Sequence, residues 1–288
     1  MKNILFALLF SYVAISVEAQ KDRKVPEIGV VQSIDNDSLL HKIGYRSIVE
    51  SVGKLISPRT ITDDQFEANL LKISKLRVPL YAFNIFIPGE LKVVGPDINE
   101  ELVLKYVEGV FQRARKAKVN RIIWGSGGSR RVPDGFDVEK AKQQFAAIAL
   151  KIADLASRYD ITIALENLNS TETNFITTVE EALSIVRKVN HKNLRLCVDV
   201  YHMLKEGESP EIIEKTKGYV IYCEVAEKDG RTPPGVQGED FKPYFSALKK
   251  IGYTDRIMIE CRWENVNEQA GPAFAYLRKQ IDEVYIQR

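Results

Sequence analysis

Three observations in the 288-residue sequence predict a single (β/α)8 barrel. Eight runs of four to eight residues are almost wholly apolar, the pattern of parallel strands buried on both faces. Between them lie longer segments with apolar residues at helical spacing, and no linker breaks the alternation. The length also suits one barrel, which typically needs about 250 residues.

Taken in order, Ile28 to Val31 and Ser47 to Val52 are the first two strand-like runs. Tyr81 to Ile87, Arg121 to Gly125 and Thr162 to Leu168 follow, then Leu194 to Val200, Tyr219 to Val225 and Arg256 to Cys261. All are rich in Ile, Val, Tyr or Phe, residues that fit a pleated, buried surface. Between Leu102 and Ala117, the residues Val103, Val107, Val110 and Phe111 mark one face of a helix. Phe145, Ile148, Ala149, Ile152 and Leu155 repeat that spacing, as do Ala182, Ile185, Val186 and Val189. Thr178 followed by Glu181 predicts a capping box at the start of the last of these helices.

Composition narrows the function. With 45% hydrophobic and 28% charged residues, the chain has enough apolar material to fold. A net charge of +2 argues against a polyanion-binding surface, so no nucleic-acid partner is expected. There is no GxGxxG opening a first helix and no GxxxxGK[ST], so nucleotide folds lack support. Cys197, Cys223 and Cys261 are odd in number and lie in strand-like runs, which reads as small buried hydrophobes.

The first nineteen residues form a separate unit. Lys2 precedes an apolar run from Ile4 to Ser16, and Val17 and Ala19 supply small residues before Gln20. This is a secretory signal pattern, too short for a comfortable membrane span of about 20 residues. Residues 1–19 are thus expected to be removed, leaving an exported barrel domain over 20–288. The expected location is outside the cytoplasm, either secreted or periplasmic, with no stable membrane anchor.

A barrel should collect reactive residues at the C-terminal ends of its strands. Glu166 with Asn167 and Asn169, Asp199 with His202, Glu224, and Glu260 occupy such positions on four successive runs. Buried carboxylates repel one another, and each costs several kcal/mol unless paired or bound to a cation. A divalent ion would relieve both problems, and an all-oxygen set suits Mn²⁺, with Mg²⁺ or Co²⁺ also compatible. The residues alone leave a second reading open, a network in which Arg130, Arg231 and Arg262 pair with these acids.

The run from Glu166 to Glu260 resembles the sugar phosphate isomerase/epimerase family, the xylose-isomerase-like TIM barrels that include tagatose/psicose 3-epimerases and hydroxypyruvate isomerases. The resemblance lies in Glu166-x-x-Asn169-x-x-Glu172, in Asp199-x-x-His202-Met203, in Gly230-Arg231 with Pro234-Gly235 and Gly238, and in Ile259-Glu260. Pro88-Gly89 and the Gly125 to Arg131 turn are also family-like, and the likeness is weakest before residue 80. It implies Glu166, Asp199, Glu224 and Glu260 as metal ligands, with Glu166 and Glu260 flanking the reacting carbon as catalytic groups. Glu172, His202 and Arg231 are implied as substrate-binding residues. One position departs from the pattern: Glu224 stands where these families carry His or Gln. Four carboxylates on one M²⁺ leave an excess of negative charge, which Arg231, Arg262 or a proton on Glu224 would have to offset.

The implied activity is metal-dependent proton abstraction beside a sugar carbonyl, giving isomerisation or epimerisation. Export and the lack of a phosphate cradle point to an unphosphorylated sugar. The same first step permits β-elimination from a 3-keto-glycoside by a lyase or hydratase, and a non-catalytic sugar-binding barrel would not need paired Glu residues. A DNA-binding endonuclease IV type barrel is disfavoured by the three His residues. Arg130 and Arg131 read as a solvated loop pair, and Trp124 either stacks on a sugar or packs beneath its loop. A homo-oligomer is compatible with the family, although nothing in the chain fixes an interface.

Overall fold

In the computed structural model, which describes residues 25–286, the apolar runs become parallel strands closed into one barrel. They are β1 (Glu27–Val31), β2 (Ile48–Ser51), β3 (Leu80–Asn84), β4 (Arg121–Trp124), β5 (Thr162–Glu166), β6 (Leu194–Asp199), β7 (Val220–Val225) and β8 (Arg256–Ile259). Neighbours in sequence are neighbours in the sheet, and β8 closes on β1 with Gly29 opposite Met258. The expected signal segment, residues 1–19, lies outside the described residues.

Several strands stop earlier than their apolar runs. β3 ends at Asn84 because Ile85 takes a left-handed backbone (φ 50°), a strained state for a β-branched residue. β5 ends at Glu166 and β8 at Ile259, where polar side chains turn the chain into loops.

The helices cover the barrel: α1 (Asp37–Ile43), α2 (Val52–Leu55), α3 (Asp63–Ile73), α4 (Glu100–Lys116), α5 (Gly127–Arg130), α6 (Val138–Arg158), α7 (Val179–Val189), α8 (Val200–Glu206), α9 (Lys242–Lys250) and α10 (Val266–Tyr285). The predicted apolar faces point inward. Val103, Val107, Val110 and Phe111 of α4 are buried, as are Phe145, Ile148, Ala149, Ile152 and Leu155 of α6. The α7 cap departs from the expected box. Thr178 Oγ1 accepts from the Glu181 amide at 3.1 Å, but the Glu181 carboxylate reaches back to the Thr177 amide rather than that of Thr178. Cys197, Cys223 and Cys261 are free thiols. Among the described residues no helix is long and apolar enough to cross a membrane.

Side chains repeat every two residues along a strand, and this period builds the barrel interior in layers. Val49, Ala82, Ile123, Ala164, Cys197, Tyr222 and Met258 form one buried layer, a single residue from each of β2 to β8. Two residues further along lie Ser51, Asn84, Gly125, Glu166, Asp199, Glu224 and Glu260. The apolar layer is therefore the floor on which a polar layer stands.

Candidate active site

The polar layer brings together the four acids singled out from the sequence. One oxygen from each of Glu166, Asp199, Glu224 and Glu260 lies within 4.8 Å of the others. Glu166, Asp199 and Glu224 are buried and Glu260 is partly exposed at the mouth. Strand register sets part of this arrangement, since Asp199 pairs directly with Glu224 across β6 and β7. Close packing sets another part: a Cβ on Gly125 would meet Glu166 Oε2 at 2.3 Å, so β4 leaves room for that carboxylate.

Each acid is held differently. Tyr222 donates to Glu224 Oε1 at 3.0 Å, and the Cys197 thiol lies 3.6 Å from Oε2. Burial pushes Glu224 well above the usual carboxylate range, and the charges of Glu260, Glu166 and Asp199 push it further. Glu260 accepts from Asn84 Nδ2 at 3.1 Å and forms an ion pair with Arg231. Burial raises its pKa to about 7 against the opposing pull of Arg231. Asp199 caps α8 by accepting from the His202 amide at 3.0 Å, while its Oδ2 is buried with no hydrogen-bond partner.

His202 is fully buried. Its Nε2 lies 3.4 Å from Glu166 Oε1 and 3.6 Å from Asp199 Oδ2, so it joins a second ligating group with these two acids. Asn169 Nδ2 approaches His202 Nδ1 at 2.8 Å, and the Asn169 oxygen is already taken by the Thr171 amide and hydroxyl. The amide is thus fixed with its N–H toward the ring, which assigns a lone pair to Nδ1 and the proton to Nε2. Burial opposes a charge on this ring, yet Asp199 and Glu166 outweigh it and raise the pKa to about 9. The two demands conflict, and a cation shared by the carboxylates would remove the conflict.

Arg231 sits in the loop after β7 with a left-handed backbone (φ 54°). Besides Glu260 it contacts Glu172 at 3.3 Å and comes within 3.9 Å of Asp199, while its guanidinium lies 4.6 Å above the Tyr201 ring. Glu172 is exposed at the rim and also accepts from Asn169 at 3.4 Å. All the residues expected at the site therefore share one end of the barrel.

Of the three arginines considered as neutralising partners, only Arg231 pairs with the acids. Arg262 is exposed and makes no ion pair among the described residues. The expectation that Arg130 is solvated is corrected: it is fully buried and donates to the carbonyls of Trp124, Glu166 and Ile176. The guanidinium is buried because it donates to three backbone carbonyls, of which Ile176 O also accepts from the Leu168 amide at 3.2 Å. Arg131 does stay exposed, donating to the Glu172 carbonyl. Trp124 packs beneath the loop, wholly buried against Phe86 and Phe145.

Residues 38–280 match the xylose isomerase-like TIM barrel family. The chain belongs to that family. Within it, the chain is similar to a ketose 3-epimerase of Arthrobacter globiformis, 33% identical over 38% of each chain. It is also similar to a putative hydroxypyruvate isomerase of Homo sapiens, 32% identical over 51% of this chain and 56% of that one. These alignments span only about half or less of the relatives' length. Among solved structures, the D-allulose 3-epimerase of a Methylomonas species, in complex with D-allulose, superposes with a TM-score of 0.73. It covers 89% of this chain and 98% of its own at 20% identity, which speaks to the fold.

Sequence reading missed Asn84 and Glu227 as supporting residues of this family member's site and gave Gly125 only as part of a family-like turn. Asn84 and Gly125 each stand two residues beyond an interior position, the same step that leads from Ala164 to Glu166, so the strand period was a usable signal. Glu227, fully buried, accepts from the Thr232 hydroxyl and from the amides of Gly235, Gln237, Gly238 and Glu239. It folds the loop that carries Arg231, and no local pattern in the sequence announced it.

Proposed function

We propose that this chain is a divalent-metal-dependent isomerase or epimerase that removes a proton from the carbon beside the carbonyl of an unphosphorylated sugar. The observation that carries the reading is the meeting of four acids from four successive strands within 4.8 Å. Unscreened, like charges this close in a buried site are strongly unfavourable. Asp199 Oδ2, buried without a hydrogen-bond partner, is free to ligate the same cation, while His202 Nε2 keeps its proton and faces the site as a hydrogen-bond donor. The set fits a hard or borderline ion, Mn²⁺ first, with Mg²⁺ or Co²⁺ as alternatives. Glu224 fits as a ligand once its proton is displaced; otherwise it stays neutral on Tyr222, and with Arg231 offsets the excess charge.

When bound, the ion supplies Lewis-acid polarisation of the carbonyl and positive charge for the enediolate. The chain's own residues do the rest. Glu166 and Glu260 act as base and acid on opposite sides of the reacting carbon. Arg231 and His202 Nε2 hold substrate oxygens, and Glu172 does so from the rim. Relatives named as a ketose 3-epimerase and an L-ribulose 3-epimerase support the epimerase branch. We read residues 1–19 as an export signal, which places the substrate among sugars outside the cytoplasm.

The test is solvent exchange in D₂O with Mn²⁺-supplemented protein and D-fructose, D-tagatose or a 3-keto-glucoside. Deuterium beside the carbonyl and a new epimer or isomer are expected, with a loss of at least about 10³-fold in Glu166→Gln and Glu260→Gln. Release of an aglycone from the 3-keto-glucoside would move the assignment to a lyase. No exchange with any of these, together with full biological activity of Glu166→Gln, would leave a sugar-binding barrel.

A further inference from the structure

Two cavities, not one, open beside the acids. The first, about 360 Å³, lies over β3 to β6 and is walled by Ile87, Gly89, Gly125, Glu166, Glu172 and His202. The second, about 390 Å³, lies over β1, β2 and β8, with Gln32, Ser51, Lys54, Arg262 and Trp263 in its wall. They share Asn84, Ile85, Arg231 and Glu260. Each alone falls at the lower end of the roughly 300–1,000 Å³ range of ligand pockets. The acids that would act on a sugar carbonyl belong to the first cavity or its shared wall; the second holds volume that this chemistry does not use.

Its lining indicates what it would take. Asn84 is 6% exposed, its Nδ2 is occupied by Glu260, and its Oδ1 is buried with no partner. Trp263 offers a half-buried ring whose indole N–H is likewise unpartnered. Gln32 uses its carbonyl oxygen on the Ser33 amide, which leaves its two N–H donors. A mixture of donors, acceptors and one aromatic ring matches the hydroxyls and C–H face of a sugar ring. Lys54 pairs with the buried Glu50 at 3.4 Å and Arg231 pairs with Glu260, which leaves Arg262 in the same wall to donate to a ring hydroxyl. Ile85 stands between the cavities, 63% exposed on its strained backbone, an apolar ridge over which a two-ring ligand can bend.

We propose that the second cavity is a subsite for a second glycosyl unit, so that the preferred substrate is a glycosylated keto sugar rather than a free monosaccharide. The proposal rests on the isomerase/epimerase reading of the acids and names the substrate class of that site. Lactulose and isomaltulose, two ketose-ended disaccharides, are compared with D-fructose on Mg²⁺-supplemented protein. One readout is turnover. The other is tryptophan fluorescence, since the chain has two Trp residues and Trp124 is fully buried, leaving Trp263 to report on the cavity. The expected result is saturable quenching by a disaccharide, absent in Trp263→Phe, with an apparent Kd at least tenfold below that for fructose. In Trp263→Ala and Gln32→Ala, kcat/KM should fall at least tenfold more for the disaccharide than for fructose. Two variants in different loops, after β1 and after β8, keep the test decisive should one of them fold poorly. Turnover of fructose with equal affinity for both sugar sizes, and equal losses in both variants, would overturn the subsite and leave the catalytic reading standing. Neither turnover nor binding of any of the three sugars would overturn both.

Discussion

Gly125 and Glu166 occupy one space at the mouth of the barrel: a Cβ on residue 125 would stand 2.3 Å from Glu166 Oε2. Gly125→Ala therefore cannot be accommodated without moving the carboxylate or β4. Overpacking of this kind costs about 1–3 kcal/mol. We expect a modest fall in melting temperature together with at least a tenfold loss of cation affinity, a combination that calorimetry and thermal melts would resolve. An unchanged affinity would show that Glu166 is not a ligand.

Arg130 replaces water for the carbonyls of Trp124 and Glu166, at the ends of β4 and β5, and of Ile176 in the loop before α7. Arg130→Met keeps the bulk of the stem and removes the guanidinium donors, while Ile176 O retains the Leu168 amide. Each orphaned acceptor costs about 1–3 kcal/mol, so the variant is expected to lose at least that much in denaturant melts. A neutral outcome would mean that the carbonyls find other partners.

Glu227 acts on the site through Arg231. Glu227→Gln halves the capacity for accepting amide hydrogens in a loop that presents five donors to it. The expected effect is a rise in KM and a fall in kcat/KM, with cation binding retained because none of the four clustered acids is touched. Loss of cation affinity in this variant would contradict that division of roles.

Glu224 makes the metal-free protein sensitive to pH. Its folded value lies well above the ordinary 4.5, so the unfolded chain ionises first and folding resists that charge. The stabilising proton is thus fully in place below about 4.5, and stability falls as pH rises from there toward the folded value. The slope from one such group approaches about 1.4 kcal/mol per pH unit. Glu224→Gln should remove this component, so in chelator the variant gains on the parent as pH climbs from 5 to 8. A difference that does not change with pH would mean that Glu224 ionises freely.

The fold was legible because each strand is buried on both faces and each helix on one, so both periods stand out in the chain. The acids were legible for a related reason: Glu166, Asp199 and Glu260 end apolar runs in which a charge has no ordinary place. Arg130 was misread because its neighbours Ser129 and Arg131 give a polar loop signature, whereas its burial depends on carbonyls 36 and 46 residues away. Glu227 was invisible for the same reason, since its partners are backbone amides, and a backbone amide leaves no mark in composition. The α7 cap shifted by one residue, with Glu181 accepting from the Thr177 amide instead of the expected one.

The central claim is that Glu166, Asp199, Glu224 and Glu260 grip one divalent ion. Calorimetric titration of Mn²⁺ into chelator-treated protein tests it most directly. The account predicts about one ion per chain, a melting temperature that rises with free Mn²⁺ as mass action requires, and loss of both in Asp199→Asn and Glu260→Gln. Absence of saturable binding, or binding that both variants retain in full, would contradict it.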